Sequence, residues 1–250
     1  MSVASPLGRT RRPLRGSLPV AGRILRTMRG DRRTLALVFV APALIVSLLG
    51  EVFARPEPVA HVVLAVIVFF LTYILTAIGF LRERTSGTLD RVLVAPVSRT
   101  GLVVGYVLGY GVLAAVQSVV LLLAAVAFLD VSFANGILRF VGVELLGAFA
   151  ALGTGIVLSL FADSEFQAIQ FIPVVITPQV ILGGTFRPVS ELPTALEYVA
   201  LAMPITHLVG AMEYVVLGGD AGEFRVSSAI LIGFAVAAVA LAALVVRPAS

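Results

Sequence analysis

The chain has 250 residues, of which 59% are hydrophobic and 13% charged, and its mean hydropathy is +1.07. A soluble domain is usually about 45–50% apolar and about 25% charged, so the composition excludes an ordinary soluble globular fold. All basic side chains are arginines and there is no cysteine, which excludes a Walker A ATP site, Schiff-base catalysis, disulfides and cysteine-ligated metals on this chain.

The N-terminal segment is strongly basic. Residues 1–19 are rich in proline and arginine and are predicted to form a disordered tail, whereas residues 20–33 mix apolar residues with arginine. That mixture is typical of an amphipathic helix on a membrane surface. A basic cluster beside a membrane span indicates a cytoplasmic anchor that faces anionic lipid rather than nucleic acid. The alternative, a twin-arginine export signal at Arg11 and Arg12, lacks the small-residue cleavage site.

Six apolar runs follow, each close to the roughly 20 residues that a helix needs to cross a bilayer. They cover residues 35–53, 59–81, 102–129, 136–161, 166–186 and 226–246. Residues 34–250 are therefore predicted to form an all-α polytopic bundle of six transmembrane helices. Residues 187–225 are predicted to form short external re-entrant helices, because Glu197 and Glu213 would each cost at least ~2.5 kcal/mol at the bilayer centre.

The distribution of arginine predicts the orientation. With the N-terminus inside and six spans, the outer segments hold only Arg55, Arg139, Arg187 and Arg225, and the other arginines lie in cytoplasmic segments. Cytoplasmic segments of membrane proteins carry an excess of basic residues. Both termini are therefore predicted to be cytoplasmic.

Polar residues and prolines within the spans are candidates for a gate or a transport pathway. The set comprises Gln117, Glu144, Gln167, Gln170, Pro173 and Pro178. An acid inside a span indicates function by default, although Glu144 lies near enough to the end of its span to reach water or pair with Arg139. The two prolines free backbone groups that need cover from protein or water, which fits a gate and a static kink equally well.

Two further patterns concern helix contacts and helix ends. Gly101, Gly105 and Gly109 recur every four residues in the third span, a spacing that permits close approach of another helix. Asp163 and Glu165 precede the fifth span and are predicted to cap its N-terminus, where negative charge is favourable.

The connection between the second and third spans, residues 82–100, carries the most informative motif. Its sequence RERTSGTLDRVLVAPVSR resembles the E-R-E-x-G-T-L-E signature of the membrane permease subunits of type-2 ATP-binding-cassette (ABC-2 type) exporters. These include the daunorubicin-resistance and the polysaccharide- or nodulation-factor-export permeases. Asp90 replaces the usual glutamate. A second block that runs from Gln167 through Pro173 and Pro178 to Thr206 is similar to a later pattern of the same family.

The resemblance implies half of a homodimer or heterodimer in a prokaryotic plasma membrane, with a separate ATPase docked on the cytoplasmic side. ATP and magnesium would bind to that ATPase, whereas this chain would bind no cofactor, metal or nucleic acid and catalyse no reaction. Alternating access would move a hydrophobic or amphipathic substrate outward, such as a drug, lipid or glycan. The residues expected to couple the chain to the ATPase are Glu83, Arg84, Gly87, Thr88, Leu89, Arg91, Pro96 and Arg99.

An ion-coupled secondary transporter is the alternative. Such transporters usually carry buried acids as ion sites and often show internal repeats. Only Glu144 offers such an acid here, and no repeat is visible in the sequence. An intramembrane enzyme has less support, because the spans contain no HExxH motif and no serine–histidine arrangement.

Overall fold

The structure is a computed structural model that describes residues 16–53, 57–87 and 98–245. Every regular element in these ranges is helical. The helices are α1 (Ser17–Gly30), α2 (Arg32–Val52), α3 (Glu57–Thr85), α4 (Arg99–Phe128), α5 (Ile137–Ser159), α6 (Glu165–Thr185), α7 (Thr194–Leu201), α8 (Pro204–Val216) and α9 (Ala221–Val245).

Helices α2 to α6 and α9 are each long and apolar enough to cross a membrane. The chain is thus an all-α polytopic membrane protein with about six spans, as the apolar runs predict. The bounds of two helices differ from the prediction for local reasons. Helix α3 continues to Thr85 because arginine and glutamate are good helix formers. Helix α9 begins at Ala221, where the Asp220 carboxylate accepts a hydrogen bond from Gly222 N at 2.8 Å.

The main apolar core lies around α3, which packs against α5 and α8. Its largest buried members include Phe69 of α3, Phe140 of α5 and Leu208 of α8. The backbones of α3 and α5 approach closely, because a Cβ on Gly155 would lie 3.0 Å from Tyr73 O. Helix α3 is consequently the central span. In its apolar 18-residue stretch 67% is buried inside the chain, compared with 18% for the corresponding stretch of α2 and 6% for that of α9.

Helices α7 and α8 lie in the segment predicted to be external. They are bent by 81° relative to each other. Helix α8 has 13 residues, a length of about 20 Å, so it is too short to cross a hydrocarbon core of roughly 30 Å by itself. Its side chains are largely buried against α3, α5 and α9. The re-entrant assignment of this segment stays a prediction.

Helix α1 forms a second core with α4. Val20, Ile24 and Met28 of α1 are buried against α4. A Cβ on Gly105 would lie 2.6 Å from Val20 Cβ, and one on Gly109 would lie 3.0 Å from Ile24 Cβ. The glycine spacing therefore does permit close helix approach, and the approaching helix belongs to the same chain. Helix α1 begins at Ser17, inside the range predicted for the tail, and residues 1–15 lie outside the described ranges.

Helix α6 is irregular around Pro173 and again at Gly183 and Gly184, whose backbone angles are not helical. π-Helical turns cover Ile172–Ile176 and Ile181–Thr185, with one α-helical turn between them. Proline lacks a backbone N–H and therefore interrupts the α-helical hydrogen-bond ladder. Short π turns inside a helix are rare and occur frequently at functional sites.

The N-terminal cap of α6 differs from the prediction. The cap is Ser164, whose Oγ accepts a hydrogen bond from Gln167 N at 3.2 Å, and Gln167 Oε1 accepts one from Asp163 N at 2.8 Å. This arrangement is close to a capping box, in which a serine and the glutamine three residues later satisfy free N–H groups. Glu165 does lie in the first turn of α6, where negative charge is favourable, and its carboxylate also bonds Arg82, whereas Asp163 Oδ1 lies 3.8 Å from Arg84.

Candidate coupling site at the arginine-rich end of the bundle

The candidate site surrounds the last turn of α3. Here α3 and α5 end, α4 and α6 begin, and α1 lies alongside; we name this the arginine-rich end of the bundle. Successive residues of a helix are rotated by about 100°, so Arg82, Glu83 and Arg84 point in three different directions. Each of these side chains bonds to a different neighbouring element, and together the three join α3 to most of the bundle.

Glu83 connects α3 to α1 and α4. Its Oε2 accepts hydrogen bonds from Arg23 Nη2 and from the hydroxyl of Tyr106. Arg23 Nη2 also donates to the Tyr106 hydroxyl oxygen at 3.2 Å. The Arg23 and Glu83 side chains are only 29% and 15% exposed, and Tyr106 is fully buried beneath them. This closed group of three is therefore largely withdrawn from water.

The surroundings of Arg23 favour its charged form. Burial alone lowers the pKa of Arg23, but the hydrogen bonds and charges of Glu83 and Tyr106 together offset burial and raise that pKa above its ordinary value. Arg23 consequently stays charged at every physiological pH.

Arg82 connects α3 to α6 and to the start of α2. Its Nε and Nη2 donate to the two carboxylate oxygens of Glu165 at 2.6 and 3.1 Å, a bidentate pair. Its Nη1 lies 3.5 Å from Asp31 Oδ2. Asp31 also caps α2, since its carboxylate accepts from Thr34 N at 3.1 Å and from Thr34 Oγ1 at 2.6 Å. Two-pronged arginine–carboxylate pairs fix relative orientation as well as distance.

Arg84 binds the C-terminal end of α5. Its Nη1 donates to Leu160 O at 2.7 Å and its Nη2 donates to Ala162 O. Asp163 Oδ1 lies 3.8 Å from Nη2. The last carbonyls of a helix lack partners within the helix and carry partial negative charge, so an arginine there satisfies and stabilises them.

Gly87 ends this part of the chain and redirects it. Its φ of +67° lies in the left-handed region, and its N–H donates to Arg84 O at 3.3 Å. Glycine adopts this conformation without the steric cost that a side chain brings, and it commonly follows the C-terminus of a helix. The chain re-enters the described ranges at Ser98, whose Oγ accepts from Gly101 N at 2.9 Å and caps α4.

The predicted coupling residues divide into two groups. Glu83, Arg84 and Gly87 lie in the site just described, and Arg99 is the first residue of α4. The remaining predicted residues, Thr88, Leu89, Arg91 and Pro96, lie outside the described ranges. The coupling role of both groups stays a prediction.

The predicted gate residues are not brought together. Gln117 and Glu144 are fully buried on α4 and α5, and Ser118 lies beside Glu144; within the described ranges the amide of Gln117 has no hydrogen-bond partner. The expectation that Glu144 reaches water or pairs with Arg139 is wrong. Arg139 is exposed and donates to the carbonyl of Asn135 instead.

The other gate candidates all lie on α6. The side chain of Gln167 belongs to the N-terminal cap, Gln170 and Pro173 are exposed on the surface of the chain, and Pro178 is half-buried. Among the described residues there is no group of three or more histidine, aspartate or glutamate side chains that could hold a metal.

The sequence profile of the ABC-2 type transporter family matches residues 20–217, which include α1 from its fourth residue, helices α2 to α8 and the whole of the site. The chain belongs to the ABC-2 type transporter family. The resemblance drawn from the motif at residues 82–99 is thereby confirmed for the family. The narrower likeness to daunorubicin-resistance and nodulation-factor permeases stays a prediction.

Relatives with curated names are similar to the chain over 58–61% of its length. ABC transporter G family member 20 of Dictyostelium discoideum is 32% identical over 145 residues, which are 20% of that protein. The probable multidrug ABC transporter permease YbhR of Escherichia coli K12 is 25% identical, over 39% of its length. The inner membrane transport permease YhhJ of the same strain is 27% identical, over 41% of its length. The matched segment thus covers less than half of each relative.

Sequence reasoning missed four partners in the site: Asp31, Arg82, Arg23 and Tyr106. Arg23 and Glu83 are 60 residues apart, and Arg82 and Glu165 are 83 apart. A single sequence contains no signal that pairs residues at such distances. Tyr106 did carry one usable signal, since it directly follows Gly105 on the helix that was predicted to accept a close neighbour.

Proposed function

We propose that this ABC-2 family member is the transmembrane subunit of an ATP-driven exporter, and that its arginine-rich end faces the cytoplasm and receives the motion of a separate ATPase. The observation that carries the proposal is the set of contacts made by Arg82, Glu83 and Arg84, because they tie the end of α3 to α1, α2, α4, α5 and α6. A displacement of residues 88–97 would pull directly on α3 and α4, and these contacts would pass it to the other helices.

The ATPase would be a separate chain. With no lysine in its sequence, this chain cannot hold the phosphates of ATP in a Walker A loop. ATP and magnesium would bind to the ATPase subunit. This division of labour fits the word permease in the names of YbhR and YhhJ.

A second permease copy would complete the transport path. Only 22% of the apolar 18-residue stretch of α6 is buried inside the chain, and Gln170 and Pro173 are exposed on the surface of the chain. An amide exposed to lipid tails would have no hydrogen-bond partner, so a second copy that packs against α6 would remove that cost. Between two such helices a hydrophobic or amphipathic substrate such as a drug, lipid or glycan would move outward, and the multidrug description of YbhR fits this substrate class.

The decisive experiment is purification of the tagged chain in mild detergent, followed by measurement of ATP hydrolysis. Any hydrolysis must come from a bound partner, because this chain has no Walker A lysine. We expect Arg91→Glu, which reverses a charge of the predicted coupling loop, to release the ATPase and abolish the hydrolysis. Arg139→Glu, at the opposite end of the bundle, should leave the complex intact. Transport by an ATPase-free chain would overturn the proposal.

One observation favours the secondary transporter, namely the fully buried Glu144 beside Ser118. Intramembrane acids serve as ion or proton sites in that class. If ATP drives transport, Glu144→Gln should retain it, since glutamine fills the same volume and no ion binding is needed. Substrate uptake into inverted vesicles checks this, with ATP and with an imposed proton gradient. Loss of gradient-driven uptake in the variant would establish the rival mechanism.

A further inference from the structure

A crevice beside Arg82 is not used by the contacts described above. It encloses about 140 Å³ between α3 and the corner where α1 meets α2. The residues that define it are Met28, Thr34, Val38, Leu71, Ile78 and Arg82. An enclosed apolar cavity of about 150 Å³ stays dry and binds benzene, so a partly open apolar crevice of this volume has room for part of a hydrocarbon chain. Water is therefore a poor occupant of the apolar part of the crevice.

The crevice has the depth and polarity of one bilayer leaflet. Its polar lining groups, Thr34 and Arg82, lie at the arginine-rich end, and the rest of its lining is apolar. Leu71 and Arg82 are eleven positions apart on α3, which corresponds to about 16 Å along a helix. Half of a hydrocarbon core of roughly 30 Å is about 15 Å. An acyl chain that starts at Arg82 would consequently end near Leu71 at the bilayer centre.

Arg82 has capacity to bind an anion there. Its side chain is 50% exposed. Nε and Nη2 donate to Glu165 and Nη1 donates to Asp31 at 3.5 Å, and these bonds use three of the five N–H groups of the guanidinium. Arg29 and Arg32 are exposed where α1 meets α2 and add positive charge at this end. The acids facing the guanidinium, Asp31 and Glu165, offset part of that charge. Basic pockets between membrane helices on the cytoplasmic side are typical sites for anionic headgroups.

We propose that the crevice binds one anionic phospholipid of the cytoplasmic leaflet, with an acyl chain along Leu71 and Ile78 and the phosphate at Arg82. The proposal goes beyond the transport function. It rests on that function only for the orientation of the chain, with the arginine-rich end facing the cytoplasm. Only 18% of the apolar 18-residue stretch of α2 is buried inside the chain. A lipid in this crevice would fill the gap between α2 and α3 and would hold α2 beside the Arg82–Glu165 pair.

The test is native mass spectrometry of the purified complex with phosphatidylglycerol or phosphatidylcholine that carry identical acyl chains. Wild type should retain one phosphatidylglycerol about fivefold better than phosphatidylcholine, the factor expected for one basic residue at an anionic surface. Arg82→Gln should remove that preference. Glu165→Gln breaks the same ion pair but leaves the cation in place, so it should keep the preference.

A second pair of variants tests the acyl chain. Ile78→Phe fills the crevice and should reduce retention of both lipids. Ile232→Phe makes the same change on the half-exposed face of α9 and should have no effect. Equal retention of the two lipids by wild type, or unchanged retention in Ile78→Phe, would overturn the lipid site. A negative lipid result in a sample that still contains the bound ATPase contradicts only the lipid site. Purification of the chain without any ATPase contradicts the transport proposal instead.

Discussion

At the scale of single residues, three consecutive side chains, Arg82, Glu83 and Arg84, connect the end of α3 to the neighbouring helices. An Arg-Glu-Arg triplet at the end of a helix supplies two cations and one anion in three directions. The bundle provides the complementary groups: a carboxylate for Arg82, a cation and a hydroxyl for Glu83, and helix-terminal carbonyls for Arg84. The motif that suggested coupling thus also connects the helix ends within the chain.

The Arg23–Glu83 pair should contribute measurably to stability. Exposed pairs contribute about 0–1 kcal/mol, whereas breaking a buried pair costs about 3–5 kcal/mol. The Arg23–Glu83 pair lies between these limits, so we expect Glu83→Gln to cost about 2 kcal/mol and to lower the melting temperature in detergent. The double variant Arg23→Gln/Glu83→Gln should cost less than the sum of the single changes, since each single change leaves the other group unpaired. Arg139→Gln is the matched control, because that arginine is exposed and bonds only a carbonyl of its own segment. Strict additivity would contradict the pairing.

How far the site could be predicted depends on how far apart in the sequence its contacting residues are. Gly87 and the helix-forming residues before it were readable from sequence, because a helix end is a local feature. The partners of the triplet were not, since they come from α1, α4, α5 and α6. Glu144 illustrates the opposite error. Counting residues from the end of the span suggested access to water, but the helices packed around α5 close that route and leave Glu144 fully buried.

At the scale of elements, the arrangement depends on how closely α1 approaches α4. A Cβ at Gly105 would lie 2.8 Å from Ser17 O as well as 2.6 Å from Val20 Cβ. A backbone atom cannot move aside alone, so a larger residue must displace the whole of α1. Because Arg23 lies on α1, such a displacement would also separate Arg23 from Glu83.

We therefore expect Gly105→Leu to release α1. Trypsin cleaves after arginine, and Arg23 and Arg26 should become cleavable in folded protein once α1 leaves α4. The measurement is the rate at which fragments cut after Arg23 or Arg26 appear during limited trypsin digestion. Gly142→Leu is the control, because a Cβ at Gly142 has no neighbour within 4 Å. Equal digestion rates for the two variants would show that α1 does not depend on this contact.

The elements themselves were predictable because their signal is local hydrophobicity. Six apolar runs gave six helices, with ends that differ by a few residues. The π turns of α6 were not predictable in this way, since prolines indicate only that the α ladder is interrupted. The burial of α8 was also missed. Glu197 and Glu213 indicated short external re-entrant helices, but burial of the segment depends on the space left between α3, α5 and α9.

At the scale of the whole molecule, the two ends of the bundle differ in charge. The arginine-rich end holds the ion pairs of Arg23, Arg82 and Arg84. At the opposite end, among the described residues, the ion pair is Arg187 with Glu191, at 3.5 Å within a single turn. Positive charge in short connections is retained on the cytoplasmic side during insertion. An ATPase that binds cytoplasmic ATP can reach only that side.

Orientation can be measured directly because the chain has no cysteine. Thr100→Cys places one thiol near the start of α4 at the arginine-rich end, and Ser190→Cys places one in the exposed turn Val189–Glu191 at the other end. In intact cells a membrane-impermeant maleimide should label Ser190→Cys at once and Thr100→Cys only after lysis. The wild-type chain, which offers no thiol, is the control for background labelling. The reverse pattern would place the Arg82–Glu83–Arg84 contacts outside the cell, where no ATP-driven partner could act on them, and would remove both the coupling proposal and the cytoplasmic-leaflet lipid site.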